Sequence, residues 1–508
     1  MTQIGSDSQS HFRWAVYSLL IAIAVGNMSG RLMSVNSVNR MDLEAHLVNR
    51  QIAPLEKKLK SQNLSDAEIE LQLKQAREEI LAERTLQRPF LSANDRSRWL
   101  AIRALVELGT YEIDEVLDND VWNTIDMVQH RGDDGQLHLY SSKPPLLITL
   151  LAGEYWVINK LTGLTLGEHP YFVGRLMLLT VHVIPLAWMY FILAQLADRF
   201  GRTDWSRLFI VAAACFATFL TTFAVVLNNH IIGAVSAAVT LSYFVRIWCD
   251  GSTRRSDYAA CGLAAAFTAA NELPALSMFA LVAFALLFRD RNAWLTGFLP
   301  AALVIAAAHF GTNYIAHGTW SPPYAHRYEA DEEENWYQYT YTINGVERES
   351  YWANRQGIDR GEESKWVYAW HCLLGHHGVF SLTPIWLLSV VGLVLWCRSR
   401  NPNPERQLAA GILLISVVCL VFYVVLRPLE DRNYGGMTSG FRWMFWFAPL
   451  WLWGMLPALD SLASSRGGRV FCLVLLVFSV FSVSYPTWNP WIHPWIYEGM
   501  ESLGWVRR

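Results

Sequence analysis

The sequence predicts an all-α polytopic membrane protein. Of its 508 residues, 53% are hydrophobic and only 17% are charged, whereas a soluble protein carries about a quarter charged residues. The charges cluster between apolar runs of roughly 17 to 25 residues, each long enough to cross the hydrocarbon core of a bilayer. A net charge of −3 without any Lys/Arg-rich run argues against a nucleic-acid partner.

The positive-inside rule orients these runs. Five short basic loops can all lie in the cytoplasm, provided that the spans between one loop and the next are even in number. These loops are residues 198–207, 254–255, 289–291, 398–400 and 466–469. The predicted spans are residues 13–29, 172–196, 208–227, 230–248, 257–270, 273–288, 294–312, 376–397, 407–426, 443–458 and 470–485. This arrangement predicts eleven crossings, with the N-terminus inside and the C-terminus outside.

Two apolar segments can be interpreted in more than one way. Residues 146–161 break the parity if they cross, so we expect them to lie at or dip into the outer leaflet. The alternative is that they span and residues 257–270 do not. Arg13 and the apolar run after it look like a signal peptide, but no small-residue cleavage site follows, which favours an uncleaved first helix.

The predicted topology divides the chain into successive regions. They are a first transmembrane helix (1–29), a first extracytoplasmic loop with juxtamembrane helices (30–171), a transmembrane core (172–312), a second extracytoplasmic loop (313–375), C-terminal transmembrane helices (376–485) and an extracytoplasmic tail (486–508). Within the first loop, residues 41–87 are charged and helical in period, and Ser65 and Glu68 form a capping-box pattern. We expect a helical hairpin there, over 42–61 and 66–86, or a solvated spacer without chemistry.

The seven cysteines show no C-x-x-C spacing, and most lie in or at the ends of apolar runs. This placement favours small buried hydrophobic residues over disulfides or a zinc site.

Asp95 is the first candidate for chemistry. It precedes an amphipathic stretch, residues 99–105, whose apolar residues recur at helical spacing. At the start of a helix it can simply be a cap. With Arg98 three residues further on, it can also be an interfacial carboxylate that acts as general base on an acceptor. Arg98 can equally clamp a phosphate.

Two further cations stand where polar loops enter apolar segments. Lys143 precedes two prolines that restrict its backbone, and it either snorkels to the interface or binds phosphate. Arg442 follows a glycine-rich stretch, residues 435–440, at the mouth of a predicted span. The glycines permit close approach of a ligand and favour an anionic headgroup over simple snorkelling there.

Other polar residues interrupt apolar sequence and are candidates to line a site. Asn228 and His230 fall in a tight turn between two predicted spans, where a simple polar turn is the alternative. Glu272 interrupts a long apolar run and is costly there unless it is paired or at the surface. His376 and His377 begin another span, but two adjacent histidines on a regular helix cannot face one metal. No ligand set for a divalent metal stands out, and metal dependence stays open.

The order of these motifs resembles the GT-C superfamily of membrane glycosyltransferases. Asp95 to Trp99 with the amphipathic helix, then Tyr140 to Leu146 with its Lys-Pro-Pro, is similar to the first outer loop of protein O-mannosyltransferases and lipid A aminoarabinose transferases. The stretches 374–384 and 434–442 resemble bacterial, largely uncharacterised members. The resemblance covers most of the chain except residues 41–87.

The resemblance implies a GT-C-like bundle and an inverting transfer of a sugar from a polyprenyl-phosphate donor. The site would face the extracytoplasmic side of a bacterial inner (plasma) membrane. By position, Asp95 would be the general base or a carboxylate that orients the acceptor, and Lys143 and Arg442 would neutralise the leaving phosphate. Arg98, from its own chemistry, is a further candidate to bind the donor phosphate. The partners implied are the lipid donor and membrane lipids; sugar, acceptor and oligomeric state stay open.

Two residues depart from the family pattern. Arg96 replaces the second acid of the Asp-Glu pair, and Asn228 stands where many members have a carboxylate. These changes leave a different acceptor, or a lipid-binding member without turnover, as alternatives. A transporter is the other alternative, although transporters usually place ionisable residues in mid-membrane and contain paired repeats.

Overall fold

A computed structural model of the chain describes residues 2–62, 64–83, 90–118, 122–327, 335–343, 345–400, 403–486 and 489–506. Within these residues, seven helices are long and apolar enough to cross a membrane: Gln9–Ser34, Pro170–Phe200, Asp204–Phe223, Asn229–Trp248, Arg291–His317, Pro404–Val424 and Arg466–Ser484. Each overlaps a predicted span. The structure is therefore that of a helical membrane protein, as the composition predicts.

The chain begins with a helical hairpin, α1 (Thr2–Lys60) and α2 (Asp66–Glu83). The helix does not end at the predicted boundary after residue 29: α1 is 59 residues long in all and runs from the apolar segment into the charged one. The capping-box residues meet at the start of α2, where Glu68 accepts hydrogen bonds from the Ser65 amide and hydroxyl at 3.0 and 2.7 Å. Arg77 of α2 donates to Asn49 of α1 at 3.1 Å.

The first polar loop then folds into α3 (Ala93–Glu107), the antiparallel strands β1 (Met127–Arg131) and β2 (Leu137–Ser141), and α4 (Pro145–Thr162). In this hairpin Met127 pairs with Ser141. Pro145 occupies the first turn of α4, where a missing N–H costs nothing. The two strands were not expected from the sequence, and they bring residues 126 and 142 side by side.

The next helices form the core of the bundle: α5 (Pro170–Leu178), α6 (Ile184–Phe200), α7 (Asp204–Phe216), α8 (Phe219–Phe223), α9 (Asn229–Trp248), α10 (Arg255–Asn271), α11 (Leu276–Arg289), α12 (Arg291–Ala293) and α13 (Leu299–His317). Two π-helical turns, Leu179–Val183 and Trp294–Phe298, join α5 to α6 and α12 to α13 into continuous spans. A 3₁₀ turn, Leu273–Ala275, joins α10 to α11.

The remaining elements are strands β3 (Thr340–Ile343) and β4 (Val346–Glu349), then α14 (Lys365–Leu373), α15 (Val379–Leu382), α16 (Trp386–Cys397), α17 (Pro404–Val424), α18 (Ala448–Gly454), α19 (Leu456–Leu462), α20 (Arg466–Ser484) and α21 (Trp495–Ser502). Short 3₁₀ turns occupy Asp114–Val116, Pro323–His326, Gly357–Arg360, Leu429–Asp431 and Arg442–Phe447.

Two predicted spans that are absent from the seven long helices are divided into shorter ones. Residues 376–397 are divided between α15 and α16, and residues 443–458 between a 3₁₀ turn, α18 and α19. Proline explains both breaks in part, because Pro384 precedes α16 and Pro449 and Pro457 lie in the first turns of α18 and α19. Eleven crossings are therefore not confirmed; the structure supports seven long apolar helices within the described residues.

The two ends of the bundle carry different polar groups. At one end, Arg13 of α1 pairs with Asp198 and Asp204 at 2.6 and 2.8 Å, and Arg199 binds Asp250 through two hydrogen bonds. These residues lie where α6 ends, α7 begins and α9 has ended. The opposite end, where α9 begins, meets α3 and the strands of the first loop.

Candidate functional site

A large open cavity lies at the end of the bundle where α3, α4 and the first turn of α9 meet. Its volume is about 2270 Å³ including the mouth. Six cationic side chains and four carboxylates line it: Arg96, Arg98, Lys143, Arg327, Arg427 and Arg442, with Asp126, Glu272, Asp359 and Asp431. The excess of positive charge in a partly buried space favours an anionic ligand.

The first polar contact in the cavity joins Lys143 to Asp126. Nζ of Lys143 is 3.0 Å from Oδ2 of Asp126, and both side chains are largely buried. The backbone at Asp126 is held tightly, because its carbonyl accepts from Ser97 Oγ at 2.5 Å and from the Ser142 amide at 3.2 Å. The β1–β2 hairpin thus delivers this acid to the predicted Lys-Pro-Pro lysine.

A second set of contacts runs from Arg98 to Arg442 through three polar side chains. Arg98 donates to Asn229 Oδ1 at 2.7 Å, and Asn229 Nδ2 donates to Glu272 Oε1 at 2.9 Å. The same Glu272 oxygen lies 2.5 Å from His230 Nδ1, and His230 Nε2 is 3.0 Å from Arg442 Nη1. Since arginine can only donate, Nε2 is the acceptor and the imidazole proton belongs on Nδ1.

Two glycines make these approaches feasible. A Cβ on Gly233 would come within 2.8 Å of Glu272 Cγ, so the acid reaches α9 only over a glycine. Gly435 has a φ of +96°, in the left-handed region, and its carbonyl accepts from Arg442 Nε at 3.0 Å. The predicted close approach at the glycine-rich stretch is therefore one between the chain and its own arginine.

The three predicted cations lie close enough to shift the pKa values of their neighbours in the cavity. Burial lowers the pKa of Lys143 to about 8; the charge of Asp126 opposes this, and the charges of Arg98 and Arg442 reinforce it. Burial also lowers the pKa of Arg98 to about 10, and Arg442 contributes to that shift. The pKa of Asp126 would rise on burial, but Lys143 and the two arginines lower it below its usual range. At neutral pH Asp126 is therefore ionised, and Lys143, Arg98 and Arg442 stabilise its charge.

Asp95 lies behind the wall of this cavity. Ser92, not Asp95, caps α3, so the interpretation of Asp95 as a cap is wrong. Its Oδ1 accepts from Trp99 Nε1 at 2.8 Å and from the Leu227 amide at 2.9 Å, and the residue is 1% exposed. Burial raises its pKa to about 7, although these two hydrogen bonds lower the pKa. Arg98 turns away towards Asn229, so the expected pairing of Asp95 with Arg98 is replaced by contacts to neutral donors.

Two other predicted residues lie outside the cavity lining. Asn228 caps α9, accepting from the Ile231 amide at 3.1 Å and donating to the Phe223 and Val226 carbonyls. Its place in the cavity is taken by the next residue, Asn229.

His376 belongs to a separate aromatic group in the structure. Its ring stacks on His371 with centroids 3.8 Å apart, and its Nδ1 lies 2.5 Å from Nδ1 of His377. Within the described residues, no group of three or more His, Cys, Asp or Glu side chains is arranged to hold a metal ion.

Sequence reasoning missed several residues of the site. Asp126 follows no apolar run, so nothing beside it in the sequence marks it as a site residue. The only signal is indirect: residues 127–131 and 137–141 flank a turn that contains Gly132 and Gly135, a pattern typical of the β-hairpin that brings Asp126 to Lys143. Asp359 accepts from Asn433 Nδ2 at 2.6 Å and from the Tyr351 hydroxyl at 2.9 Å. No local signal separates it from other loop acids.

Known proteins add no identification. Family models, curated proteins and solved structures were compared with the chain, and none matches it. The class defined here by fold and site is therefore a helical membrane protein with a cationic cavity at one end of its bundle.

Proposed function

We propose that this protein is a glycosyltransferase that moves a sugar from a polyprenyl-phosphate donor to an acceptor at the membrane surface, with inversion. One observation carries the proposal: Arg98, Lys143 and Arg442, from three distant segments, converge on one cavity. Three fixed cations at the boundary of a low-dielectric region suit a phosphate whose charge grows as its sugar departs. The resemblance to the GT-C superfamily, including its order of motifs, supports the same assignment.

The path for the donor lipid is part of the proposal. Leu273 and Pro274 before α11 and Phe422 near the end of α17 line the cavity. Further along the same two helices lies an apolar pocket of about 790 Å³, lined by residues such as Met278 and Ile415. A prenyl chain following α11 and α17 would keep its phosphate at the cations and its tail in apolar surroundings.

The reaction assigned to the site is a direct displacement. The acceptor oxygen forms a bond to the anomeric carbon while the bond from that carbon to the phosphate oxygen breaks, and the electron pair leaves with polyprenyl phosphate. Asp126 is the cavity acid beside Lys143, and we assign it the acceptor proton. Donor phosphate would take Lys143 from Asp126 and thereby free the carboxylate to act as a base. Asp95, which binds the Leu227 amide, becomes a positioning residue.

Charge supports the orientation of this site towards the extracytoplasmic side of a bacterial inner membrane. Arg13, Arg199 and Arg207 lie at the end of the bundle opposite the cavity. The positive-inside rule assigns that end to the cytoplasm. The proposed topology has the eleven crossings that the sequence predicts, with the N-terminus at this cytoplasmic end.

The test is a donor screen on the purified protein in lipid nanodiscs. Polyprenyl-phosphate sugars are supplied with crude envelope acceptors, and released polyprenyl phosphate is measured by mass spectrometry. We expect release by wild type and its loss in Asp126→Asn, with Asp133→Asn, an exposed acid in the nearby turn, as the control. Equal release by Asp126→Asn and loss in Asp95→Asn would return the base to Asp95. Donor binding without release from any donor would instead favour a non-catalytic lipid-binding protein.

A further inference from the structure

The cavity contains a second cationic group, which the donor site does not use. Arg327 and Arg427 approach the same acid, Asp431: Nη1 of Arg327 is 3.0 Å from Oδ1, and Nη1 of Arg427 is 3.5 Å from Oδ2. Asp431 is 6% exposed. Two arginines around one carboxylate leave one positive charge in excess, and all three residues line the cavity.

Both arginines keep unused donors. Nε and Nη2 of Arg327 and Nε of Arg427 are buried, and none of them has a hydrogen-bond partner in the described part of the chain. Buried donors without acceptors are costly, and an incoming acceptor group would remove that cost. The planar guanidinium fork matches the oxygens of a phosphate.

Aromatic rings hold both guanidinium groups in place. Arg327 lies 4.5 Å from the ring centre of Trp352, and Arg427 lies 4.3 Å from that of Trp443. Such stacking orients an arginine without consuming its in-plane donors. Trp443 directly follows Arg442 in the chain, so this second group is adjacent to the donor cations in the same cavity.

We infer that Arg327 and Arg427 form a second anion site, which binds a phosphate monoester. Resting on the proposed function, we assign this phosphate to the acceptor, so that the acceptor is a phosphorylated molecule held beside the donor. The same chemistry is present in a lipid headgroup and in a soluble phosphate ester, and the two sources are separated by experiment.

The experiment is a titration of glycerol phosphate into the full chain in phosphatidylcholine nanodiscs, followed calorimetrically. We expect two classes of site. Arg327→Gln and Arg427→Gln should each weaken one class about tenfold, the loss of one charge-assisted hydrogen bond, and leave the class that depends on Lys143 unchanged. Asp431→Asn should tighten the Arg327 class, because it removes the competing carboxylate. Arg355→Gln is the matched control, since Arg355 also lies over Trp352, at 5.7 Å, but does not line the cavity.

A parallel arm replaces a fraction of the phosphatidylcholine with phosphatidic acid and counts bound lipid by native mass spectrometry. Retention of phosphatidic acid that depends on Arg327 identifies a lipid source, and glycerol phosphate binding alone identifies a soluble one. A single class of site that ignores Arg327→Gln and Arg427→Gln, or two classes that both ignore them, would overturn the second site. Loss of the Lys143 class alone would instead contradict the donor site and leave this one standing.

Discussion

Removal of the lysine amine from the cavity gives the sharpest prediction for the donor. In Lys143→Met the side chain keeps similar length and loses its charge, while Arg98 and Arg442 remain. A charge-assisted hydrogen bond contributes about 1.5–3 kcal/mol. The donor phosphate must first displace Asp126, which lies 3.0 Å from Nζ, so we expect the lower end, about tenfold weaker binding.

The assay is titration of a short-chain prenyl phosphate into nanodisc-embedded protein. Lys160→Met is the control, because Lys160 is an exposed lysine at the far end of α4 and lies outside the cavity lining. A folded Lys143→Met protein that binds prenyl phosphate as tightly as wild type would refute the assignment of Lys143 to the donor phosphate.

Three further predictions follow from the same contacts. Donor affinity should fall as pH rises through about 8, because only protonated Lys143 attracts phosphate and its pKa lies there; affinity measured from pH 6 to 9 that does not change would contradict this. Asp95 has its pKa raised from 3.8 to about 7, so wild type loses stability as pH rises towards 7. The free energy of unfolding of Asp95→Asn should therefore rise relative to wild type between pH 5 and 8, by at most about 3 kcal/mol, with a matching rise in relative melting temperature. A constant difference in melting temperature would argue against a buried titrating carboxylate. Gly233→Ala should weaken prenyl phosphate binding, because a Cβ there would meet Glu272 Cγ at 2.8 Å. Gly311→Ala is the control, since no atom lies within 4 Å of its Cβ, and it should bind like wild type. Similar binding by the two variants would exclude the tight approach of Glu272 to α9.

The cations of the site could be predicted because their physical signal is local. A lysine before two prolines and an arginine after a glycine-rich stretch, both beside apolar segments, stand out in the sequence of a membrane protein. For Glu272 the sequence left two alternatives, a paired acid or one at the surface, because an unpaired acid within an apolar run is costly. Its partners, His230 and Asn229, lie 2.5 and 2.9 Å away in the structure.

The position of Asp126 in the site, the pairing of β1 with β2 and the start of α9 could not be predicted in the same way. Asp126 meets Lys143 only because β1 and β2 pair in one register, and a helical interpretation of the loop conceals that pairing. Asn228 and Asn229 are alike in the sequence, but one caps α9 and the other lines the cavity. That difference depends on where the helix begins, which sequence patterns do not locate to a single residue.

Local sequence patterns also do not predict where a helix ends and where it continues. Residues 30–41 look like a change from apolar to charged sequence, yet α1 runs through them without a break. Conversely, residues 376–397 are mostly apolar but are divided between two helices at Thr383 and Pro384. Hydropathy identifies what can enter a membrane, whereas helix ends depend on capping and on prolines.

The most direct test of the central claim is an experimental structure of the protein with a polyprenyl phosphate bound. We predict density for the phosphate within hydrogen-bonding distance of Lys143, Arg98 and Arg442, with the prenyl chain leaving between α11 and α17. A phosphate bound elsewhere on the protein, with Lys143, Arg98 and Arg442 still bound to Asp126, Asn229 and His230, would contradict it.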